Sequence, residues 1–599
     1  MRFGSAWYPE HWEESRWPED LRLMRDAGMN VVRMAEFAWS RLEPEEGIYD
    51  LDWLERAIEI AARHGLATVL GTPTAAPPAW MTRRYPDTLL VRDDGRPASH
   101  GNRCHFSVTS PRYRDFCRKI AEQMAQRFGR SPHVIGWQID NEYNAVSYDE
   151  DTRLQFQDFL KDRYGSLEAL NARWTTGYWS QTYGDWAEIP LPVGHHNPAL
   201  MLEFRRFITR AYVDYQRLQI DAIRRHSHGF VTHNFMGWFD LFDHYAVAKD
   251  LDFASWDSYV GSGHLDFQKT GAAHDLVRGF LGKNFWLMET QPGSVNWSAV
   301  NNALDRGEIG TMAWHAIGHG ADAILFWQWR SALNGQEQYH GSLLGPDDAP
   351  RPVYSEIKEL GKDLARASDY LAATSVVADC ALLHSYDDRW ALSFQRHHQD
   401  FDPVAHFGSY YRALRGEVSA VDIVPPTSVL SGYRLLVAPH LHILGEDLAL
   451  RLDAFVRAGG HLVLGPRSGM KNQDSALLPS RQPGPLAAAL GAHVEEYYAL
   501  NTNVRLEPQG EARIWAEWLV PDQEGTEVIL RYGPCNGWLD GKPAVVSRRH
   551  GSGRITYVGA WLDDATMKVL AKAWIVASGV ASVAVPEGVE LCRDRKSVV

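Results

Sequence analysis

Short apolar segments alternate with amphipathic helical segments throughout the first 370 residues, and this alternation is the strongest constraint on the fold. Strands separated by helices pair in parallel, because a crossover is needed to start each new strand in the same direction. The eight segments with the character of a buried strand are residues 2–7, 30–35, 67–71, 134–139, 230–235, 252–259, 285–289 and 323–329. Eight repeats favour closure into a barrel over an open doubly wound sheet. We therefore predict a (β/α)8 TIM barrel over residues 1–370.

A second alternating region follows a proline-rich break at Pro346, Pro350 and Pro352. A chain of 599 residues is also too long for a single hydrophobic core. The strand patterns of this region are at residues 376–383, 433–438, 461–464, 527–531 and 554–559, with helical patterns at 406–415 and 448–458. We predict a smaller α/β domain over residues 371–575.

Two glutamates each stand at the carboxyl end of a predicted barrel strand. Glu142 follows Trp137-Gln-Ile-Asp-Asn141, and Glu289 ends Phe285-Trp-Leu-Met288. The carboxyl ends of the strands form the active face of a parallel barrel, so the fourth and seventh strands bring these two side chains together. Cleavage of a glycosidic bond needs one proton donor and one nucleophile on either side of a sugar. The pair therefore predicts a glycosidase site.

Other polar and aromatic side chains fall on the same predicted rim. Asn141 directly precedes the first glutamate and can hydrogen-bond a sugar hydroxyl beside the bond that breaks. Arg103 and Trp297 lie on loops of this rim. After the eighth strand, Glu337 and His340 are three residues apart, a spacing at which an acid and a histidine can jointly hold neighbouring hydroxyls.

Two further carboxylates near the strand ends are interpreted as structural. Side chains alternate along a strand, so Asp140 should point away from Glu142. Glu36, at the end of the second strand, is a rival carboxylate that we interpret as support for the site from behind.

Bulk properties exclude several classes of partner. The formal net charge of −14 argues against nucleic acid and against an anionic membrane, because both bind basic surfaces. No apolar run approaches the roughly 18 residues that span a bilayer. The N-terminal residues lack the basic, apolar and small-residue order of a signal peptide, and five scattered cysteines suggest no disulfide framework. We expect a cytoplasmic protein.

Several motifs together resemble those of glycoside hydrolase family 42, the β-galactosidases of the large TIM-barrel clan. In the barrel they are Met34-Ala-Glu-Phe-Ala-Trp-Ser-Arg-Leu-Glu-Pro44, Trp137-Gln-Ile-Asp-Asn-Glu-Tyr143, Glu289-Thr-Gln-Pro-Gly-Ser-Val-Asn-Trp297, Phe326-Trp-Gln-Trp-Arg330 and Glu337-Gln-Tyr-His340. In the second domain they are Gly465-Pro-Arg-Ser-Gly469 and Pro483-Gly-Pro-Leu-Ala487. The likeness covers nearly the whole chain, so it does not depend on one short motif.

The resemblance implies a retaining exo-glycosidase that hydrolyses terminal non-reducing β-D-galactose residues from β-D-galactosides without a cofactor. It assigns the acid/base role to Glu142 and the nucleophile role to Glu289. The residues that it places around the galactose are Arg103, Asn141, Trp179, Trp297, Trp327, Glu337 and His340. It also implies that the second domain resembles a glutamine amidotransferase fold that has lost its chemistry and serves to form a homotrimer. Cys380 lies within the first strand of that domain, not in a nucleophile-bearing turn.

The sequence departs from the family in two respects. Many members carry a cysteine cluster for zinc, but its first position is Ser107 here, and no cysteine lies between Cys117 and Cys380. We therefore expect no zinc or other metal. The family usually ends in a small β-domain, which we expect to be missing here or only begun, at residues 576–599.

Two alternative functions remain open. The protein could be a related exo-glycosidase such as an α-L-arabinopyranosidase, because that sugar is galactose without its hydroxymethyl group. It could also be a non-catalytic sugar-binding protein on an inherited barrel, although the intact Glu142 and Glu289 favour an enzyme. A nucleotide-dependent enzyme is disfavoured, because Gly459-Gly460 precedes a strand whereas the glycines of a phosphate loop follow one.

Overall fold

The computed structural model describes residues 1–586 and 588–596, and the chain divides into two compact units. Of the described residues, the first unit contains 1–159, 207–375 and 595–596. The second contains residues 160–206 and 376–594. The boundary near residue 375 lies close to the predicted one. Residues 160–206, which the prediction placed in the barrel domain, belong instead with the second unit.

The first unit is a closed parallel barrel, which confirms the predicted fold. Its strands are β1 Arg2–Ala6, β2 Val31–Met34, β3 Ala67–Gly71, β4 Val134–Gln138, β5 Phe230–Thr232, β6 Asn234–Met236, β7 Ser255–Ser258, β8 Phe285–Thr290 and β9 Ala321–Phe326. Paired strands are parallel, and β1 pairs with both β2 and β9. β5 and β6 are the two ends of the strand order, and only His233 separates them along the chain, so this continuous segment closes the barrel. β5 and β6 share the fifth position, because β5 pairs with β4 and β6 pairs with β7. The ends of β4 and β8 are therefore the fourth and seventh positions.

Helices connect the barrel strands. Along residues 1–375 they are α1 Trp17–Asp26, α2 Trp39–Leu42, α3 Asp52–Arg63, α4 Ala79–Arg84, α5 Pro111–Phe128, α6 Glu150–Tyr164, α7 Leu167–Trp174, α8 Pro198–Arg224, α9 His244–Ala248, α10 Phe267–Leu281, α11 Glu308–Gly318 and α12 Val353–Leu371. Gly28 and Gly65, just after α1 and α3, adopt φ of 82° and 80°, the left-handed backbone that commonly ends a helix.

The barrel interior is packed with apolar side chains. One core cluster joins β2, β3, β8 and β9 through Val31, Val69, Trp286, Met288, Ala323 and Leu325. Gly136 of β4 permits close packing, because a Cβ atom there would lie 2.4 Å from the ring of Phe230. Phe230 in turn packs against Trp286 with ring centroids 4.9 Å apart. Strands that are buried on both faces give the continuous apolar runs from which the barrel was predicted.

The second unit contains a mixed sheet of ten strands. Its parallel half has the order β12 Asp422–Val424, β11 Cys380–Leu383, β13 Leu435–Ala438, β14 His461–Leu464 and β19 Gly553–Val558. Its antiparallel half continues through β18 Pro543–His550, β17 Thr526–Tyr532, β15 Ala492–Glu507, β16 Glu511–Pro521 and β20 Ala560–Leu562. The helices are α13 Tyr386–Phe394, α14 Pro403–Arg415, α15 Glu446–Arg457, α16 Ala487–Leu490 and α17 Asp564–Ser578. An α/β domain was predicted here, but the hairpin of β15 and β16 was not.

Ionic contacts explain why residues 160–206 belong to the second unit. Arg206 pairs with Asp387 at 2.6 Å, and Arg173 pairs with Asp474 at 2.8 Å. Tyr164 also donates its hydroxyl to Asp474 at 3.1 Å.

The predicted C-terminal β segment, residues 576–599, contains one short described strand, β21 Asp594–Lys596, which pairs with β10 Thr374–Val376. Residues 587 and 597–599 of that segment lie outside the described residues. Among the described helices, none combines the length and the apolar character needed to cross a bilayer.

Candidate active site

A cavity of about 380 Å³ lies at the carboxyl ends of the barrel strands. Its lining residues are Phe37, Arg103, Glu142, Met236, Asp257, Tyr259, Glu289, Trp297, Trp327, Glu337 and His340. Seven of the nine residues predicted from the sequence line this cavity. Asn141 lies directly behind it, with its Nδ2 3.5 Å from Glu142 Oε2. Trp179 is not among the lining residues, and its side chain is 80% exposed.

The two predicted catalytic glutamates face each other across this cavity. One carboxylate oxygen of Glu142 and one of Glu289 lie within 4.8 Å of each other. Both side chains are buried, with 8% and 5% of their surface exposed. Retaining glycosidases hold their carboxyl groups about 5–5.5 Å apart, whereas inverting enzymes leave about 6.5–9.5 Å for a water molecule. The observed separation fits the retaining geometry.

Both carboxylate oxygens of Glu289 accept hydrogen bonds, and Asn234 Nδ2 is a longer donor to Oε1, at 3.5 Å. Arg33 Nη2 lies 2.6 Å from Oε1, and the Tyr259 hydroxyl donates to Oε2 at 2.7 Å. Arg33 is fully buried and also pairs with Glu36 at 2.8 Å. Glu36 in turn accepts a hydrogen bond of 2.7 Å from Tyr8. These contacts fix the position of the Glu289 carboxylate, and they give Glu36 the supporting position predicted for it.

Glu142 occupies a different environment. Its backbone has φ of 43°, a left-handed conformation that is strained for a residue with a side chain. Its N–H donates to Asn234 Oδ1 at 3.3 Å, and its Oε2 lies 2.7 Å from Arg103 Nη1. Burial raises the pKa of Glu142; the Arg103 guanidinium opposes this rise, and the negative charge of Glu289 adds to it. A raised pKa is what a proton donor needs near neutral pH.

Asp257 is a third carboxylate in the site, and sequence reasoning missed it. Its oxygen lies within 4.8 Å of those of both glutamates, and it accepts a hydrogen bond of 2.6 Å from Asn234 Nδ2. Burial raises its pKa well above the usual range, and the neighbouring charges of Glu289 and Glu142 raise it further. Asp257 therefore favours the protonated form. It stands near the end of β7, as the glutamates stand at the ends of their strands, so the same pattern predicts it.

The side chains of Asn141 and Asp140 have different environments, as expected. Asn141 Oδ1 accepts a hydrogen bond of 2.8 Å from Asn234, which keeps its amide directed toward the cavity side. Asp140 is fully buried and accepts hydrogen bonds from Thr74 at 2.7 Å and from Tyr215 at 2.6 Å. These partners hold Asp140 as a structural residue, in agreement with the prediction.

Aromatic and polar side chains complete the rim of the cavity. The rings of Trp327 and His340 meet edge to face with centroids 4.6 Å apart, and Trp327 Nε1 donates to the Tyr8 hydroxyl at 2.8 Å. His340 Nε2 is buried and has no hydrogen-bond partner within the described residues. Burial raises the pKa of Glu337 and lowers that of His340. A neutral His340 can therefore bond a ligand hydroxyl.

Positive charge in this site comes from guanidinium groups. The trio of Glu142, Asp257 and Glu289 is close enough to hold an ion. Arg33 and Arg103, however, already contact two of these carboxylates. At the position expected for a zinc ligand, Ser107 Oγ lies 2.8 Å from the hydroxyl of its neighbour Thr109. The absence of zinc stays a prediction.

A closed parallel barrel that carries two buried glutamates within 4.8 Å of each other at its fourth and seventh positions defines a retaining glycoside hydrolase. Comparison with known families makes this class specific. The profile of glycoside hydrolase family 42, described as β-galactosidase, matches residues 6–367. A second profile, described as β-galactosidase trimerisation domain, matches residues 378–581. The chain belongs to glycoside hydrolase family 42.

Individual relatives agree with this membership. The β-galactosidase Bga of Halorubrum lacusprofundi is 39% identical over 633 residues, covering 99% of this chain and 89% of that protein. A β-galactosidase of Thermus thermophilus is 38% identical, with 98% and 93% covered. The solved β-galactosidase structure from Halorubrum lacusprofundi has a TM-score of 0.95 at 40% identity, covering 98% of this chain and 92% of that one. The structure from Bacillus circulans sp. alkalophilus has a TM-score of 0.96 at 29% identity, covering 100% and 91%.

Proposed function

We propose that this chain is a retaining β-galactosidase that releases terminal non-reducing β-D-galactose from β-D-galactosides. The observation that carries the proposal is the short separation of Glu142 and Glu289 within one cavity of a family 42 barrel. Their environments differ in the sense that the reaction needs. Arg33 and Tyr259 hold the carboxylate of Glu289 in position, whereas burial raises the pKa of Glu142.

The first step forms a covalent intermediate. Glu289 attacks the anomeric carbon of galactose with a carboxylate lone pair, and the electrons of the breaking glycosidic bond pass to the leaving oxygen. Glu142 protonates that oxygen, so the aglycone departs as a neutral alcohol. Tyr259 stays bonded to the second oxygen of Glu289 and orients the attacking one.

The second step releases the sugar. Ester formation removes the negative charge of Glu289, so Glu142 loses the repulsion that favoured its protonated form and becomes a base. It takes a proton from water while the water oxygen attacks the anomeric carbon. Glu289 leaves as a carboxylate that the buried Arg33 stabilises. Two displacements at one carbon retain the β configuration.

The cavity offers groups suited to each part of the galactose ring. Arg103 and Asn141 would bond hydroxyls next to the anomeric carbon. Glu337 and the unpartnered Nε2 of His340 would hold a pair of neighbouring hydroxyls. A second cavity of about 600 Å³ also contains Arg103, Trp327 and Glu337, and we assign the leaving group to it.

We further propose that the second unit resembles a glutamine amidotransferase fold without its chemistry and that it forms a homotrimer. Cys380, in β11, is fully buried and cannot serve as a nucleophile there. The match of residues 378–581 to a trimerisation-domain profile supports the assembly. Light scattering should give three times the 67.7 kDa mass of the chain. The cytoplasmic location and the role of Trp179 at a galactose subsite stay predictions.

The decisive test replaces the nucleophile. Glu289→Ala should abolish turnover of nitrophenyl β-D-galactoside, and azide should restore it with an α-galactosyl azide product. The exposed Glu59→Ala, on α3, is the matched control and should keep full activity. Rescue that gives the β-azide would instead mean that Glu289 is the acid/base and Glu142 the nucleophile. Wild-type turnover of nitrophenyl α-L-arabinopyranoside above that of the galactoside would favour the arabinopyranosidase.

A further inference from the structure

The second unit contains a cavity that the hydrolase reaction does not use. Its volume is about 680 Å³, which is within the range of small-molecule binding sites. All of its lining residues belong to residues 160–206 and 376–594. It opens beside the turn that follows β14, at the carboxyl end of the parallel half of the sheet. Open α/β sheets bind ligands at this end.

Two buried cations line this cavity. Lys471 is 5% exposed and Arg467 is 3% exposed. Lys471 Nζ donates to Gln395 Oε1 at 2.5 Å and to Ser475 Oγ at 3.1 Å. The Arg467 guanidinium donates to the backbone carbonyls of Gln395 at 2.8 Å and Arg396 at 2.9 Å. Within the described residues, neither cation forms an ion pair, whereas buried charges are ordinarily paired.

The carboxylates near these cations are already engaged elsewhere. Asp474 accepts two hydrogen bonds from Arg173, at 2.8 and 2.9 Å. Glu517 accepts the backbone N–H of Arg467 at 2.8 Å, not its guanidinium. Burial lowers the pKa of Lys471 to about 8, and the nearby charge of Arg467 adds to this effect. The cavity therefore has an excess of positive charge.

The backbone around the cavity is strained in the way that binding sites often are. Arg467, Ser475 and Thr175 line it with φ of 65°, 59° and 55°. Such left-handed conformations persist only where the surrounding structure requires them. Arg467 is the central residue of Gly465-Pro-Arg-Ser-Gly469, a G-x-X-x-G turn after a strand. In hydrolases a turn of this pattern presents a nucleophile; a guanidinium cannot attack, but it can bind an anion.

Aromatic rings lie next to the cations. Tyr497 and Trp515 are stacked, with centroids 5.2 Å apart and an interplanar angle of 13°. The Arg467 guanidinium lies 4.6 Å from the centroid of Trp515. Tyr178 also lines the cavity and is 61% exposed. Aromatic rings beside a cationic group suit a ligand with a sugar ring and an anionic substituent.

We propose that this cavity is a second binding site, for a phosphorylated monosaccharide whose phosphate contacts Lys471 and Arg467. The site is separate from the residues of the hydrolase reaction and does not depend on that activity. Gln395 and Ser475 hold Lys471 in place, and the remaining N–H groups of the two cations face the phosphate. The sugar ring lies against Tyr497 and the exposed Tyr178.

Calorimetry of the full chain with galactose 6-phosphate tests the proposal, in saturating galactose so that the barrel site is filled. Galactose 6-phosphate should bind and raise the Tm by a few degrees at constant ionic strength. Lys471→Met should weaken this binding about tenfold or more, because it removes a charge-assisted contact. Lys568→Met, at an exposed lysine of α17, is the matched control and should bind as the wild type does. Turnover of nitrophenyl galactoside should be unchanged in both variants.

Three results would overturn the proposal. The first is no binding of galactose 6-phosphate, or binding that Lys471→Met leaves unaltered. The second is inorganic phosphate that binds as tightly as the sugar phosphate, because the sugar ring would then contribute nothing. The third is a change of assembly in Lys471→Met by light scattering without sugar phosphate binding, which would assign the cations to a subunit contact. These binding and assembly measurements do not require hydrolysis and can also be made on Glu289→Ala. Failure of the sugar phosphate site can therefore be distinguished from failure of the proposed β-galactosidase activity.

Discussion

Trapping Glu289 as a glycosyl ester should lower the pKa of Glu142. Their nearest oxygens lie within 4.8 Å, and two unit charges at that distance repel by about 3.5 kcal/mol at an effective dielectric constant of about 20. Loss of the Glu289 charge removes this repulsion from the ionised form of Glu142 and should therefore lower the pKa of Glu142. Burial and the Arg103 contact are present in both states, so their effects cancel. This decrease would convert a proton donor into a base within one catalytic cycle.

The assay is an NMR titration of protein labelled with ¹³C at the glutamate carboxyl carbon. It is run on the free enzyme and on the enzyme trapped with an activated 2-deoxy-2-fluoro-galactoside, and Glu142→Gln identifies the signal. The Glu59→Ala protein serves as a control for spectral changes unrelated to the site. A pKa of Glu142 that rises on trapping, or that stays unchanged, would refute the electrostatic argument.

Four further outcomes are expected. Arg103→Met should move the alkaline limb of the kcat/KM profile to higher pH, because the guanidinium lowers the pKa of Glu142 and the reaction needs its protonated form. A neutral Asp257 that serves as a hydrogen-bond acceptor can be replaced by asparagine, so Asp257→Asn should keep kcat/KM within about tenfold of wild type. Asp257→Leu should lower kcat/KM about a hundredfold or more. Equal losses in the two variants would mean that Asp257 acts as a carboxylate. Arg33→Met leaves two buried carboxylates without a counter-charge and should cost about 3–5 kcal/mol in urea unfolding. Gly136→Ala should destabilise by about 1–3 kcal/mol in the same assay with the active-site geometry unchanged, because its new Cβ overlaps an aromatic ring.

The barrel and its two glutamates could be predicted because both leave a local signal. A strand that is buried on both faces appears as an unbroken apolar run, and a carboxylate directly after such a run stands out. Asp257 and Tyr259 carry the same signal and were overlooked, because the predicted strand of residues 252–259 ran through them. Arg33 is also detectable, since a charged residue inside an apolar strand needs a buried partner.

Other features left no such signal. The hairpin of β15 and β16 has charged residues on its exposed face and two register shifts in its pairing, so its alternation is irregular. Trp179 was assigned from family resemblance, and no local pattern tied it to the ends of the barrel strands. The placement of residues 160–206 depends on ion pairs with residues more than 180 positions away, such as that of Arg206 with Asp387. Such distant partners cannot be identified from the local sequence.

The discontinuity of the second unit limits how this enzyme can be cut or assembled. A chain truncated at residue 375 retains Arg173 and Tyr164 but lacks Asp474, to which both donate. A fragment that begins at residue 376 retains Asp474 without either donor. During synthesis the ribosome completes the barrel strands long before residue 474 emerges. Residues 160–206 therefore cannot form their contacts with Asp474 until that later part of the chain has been made. A minimal catalytic version should therefore be made by replacing residues 160–206 with a short loop. Dividing the chain at residue 375 should not give two fragments that each fold on their own.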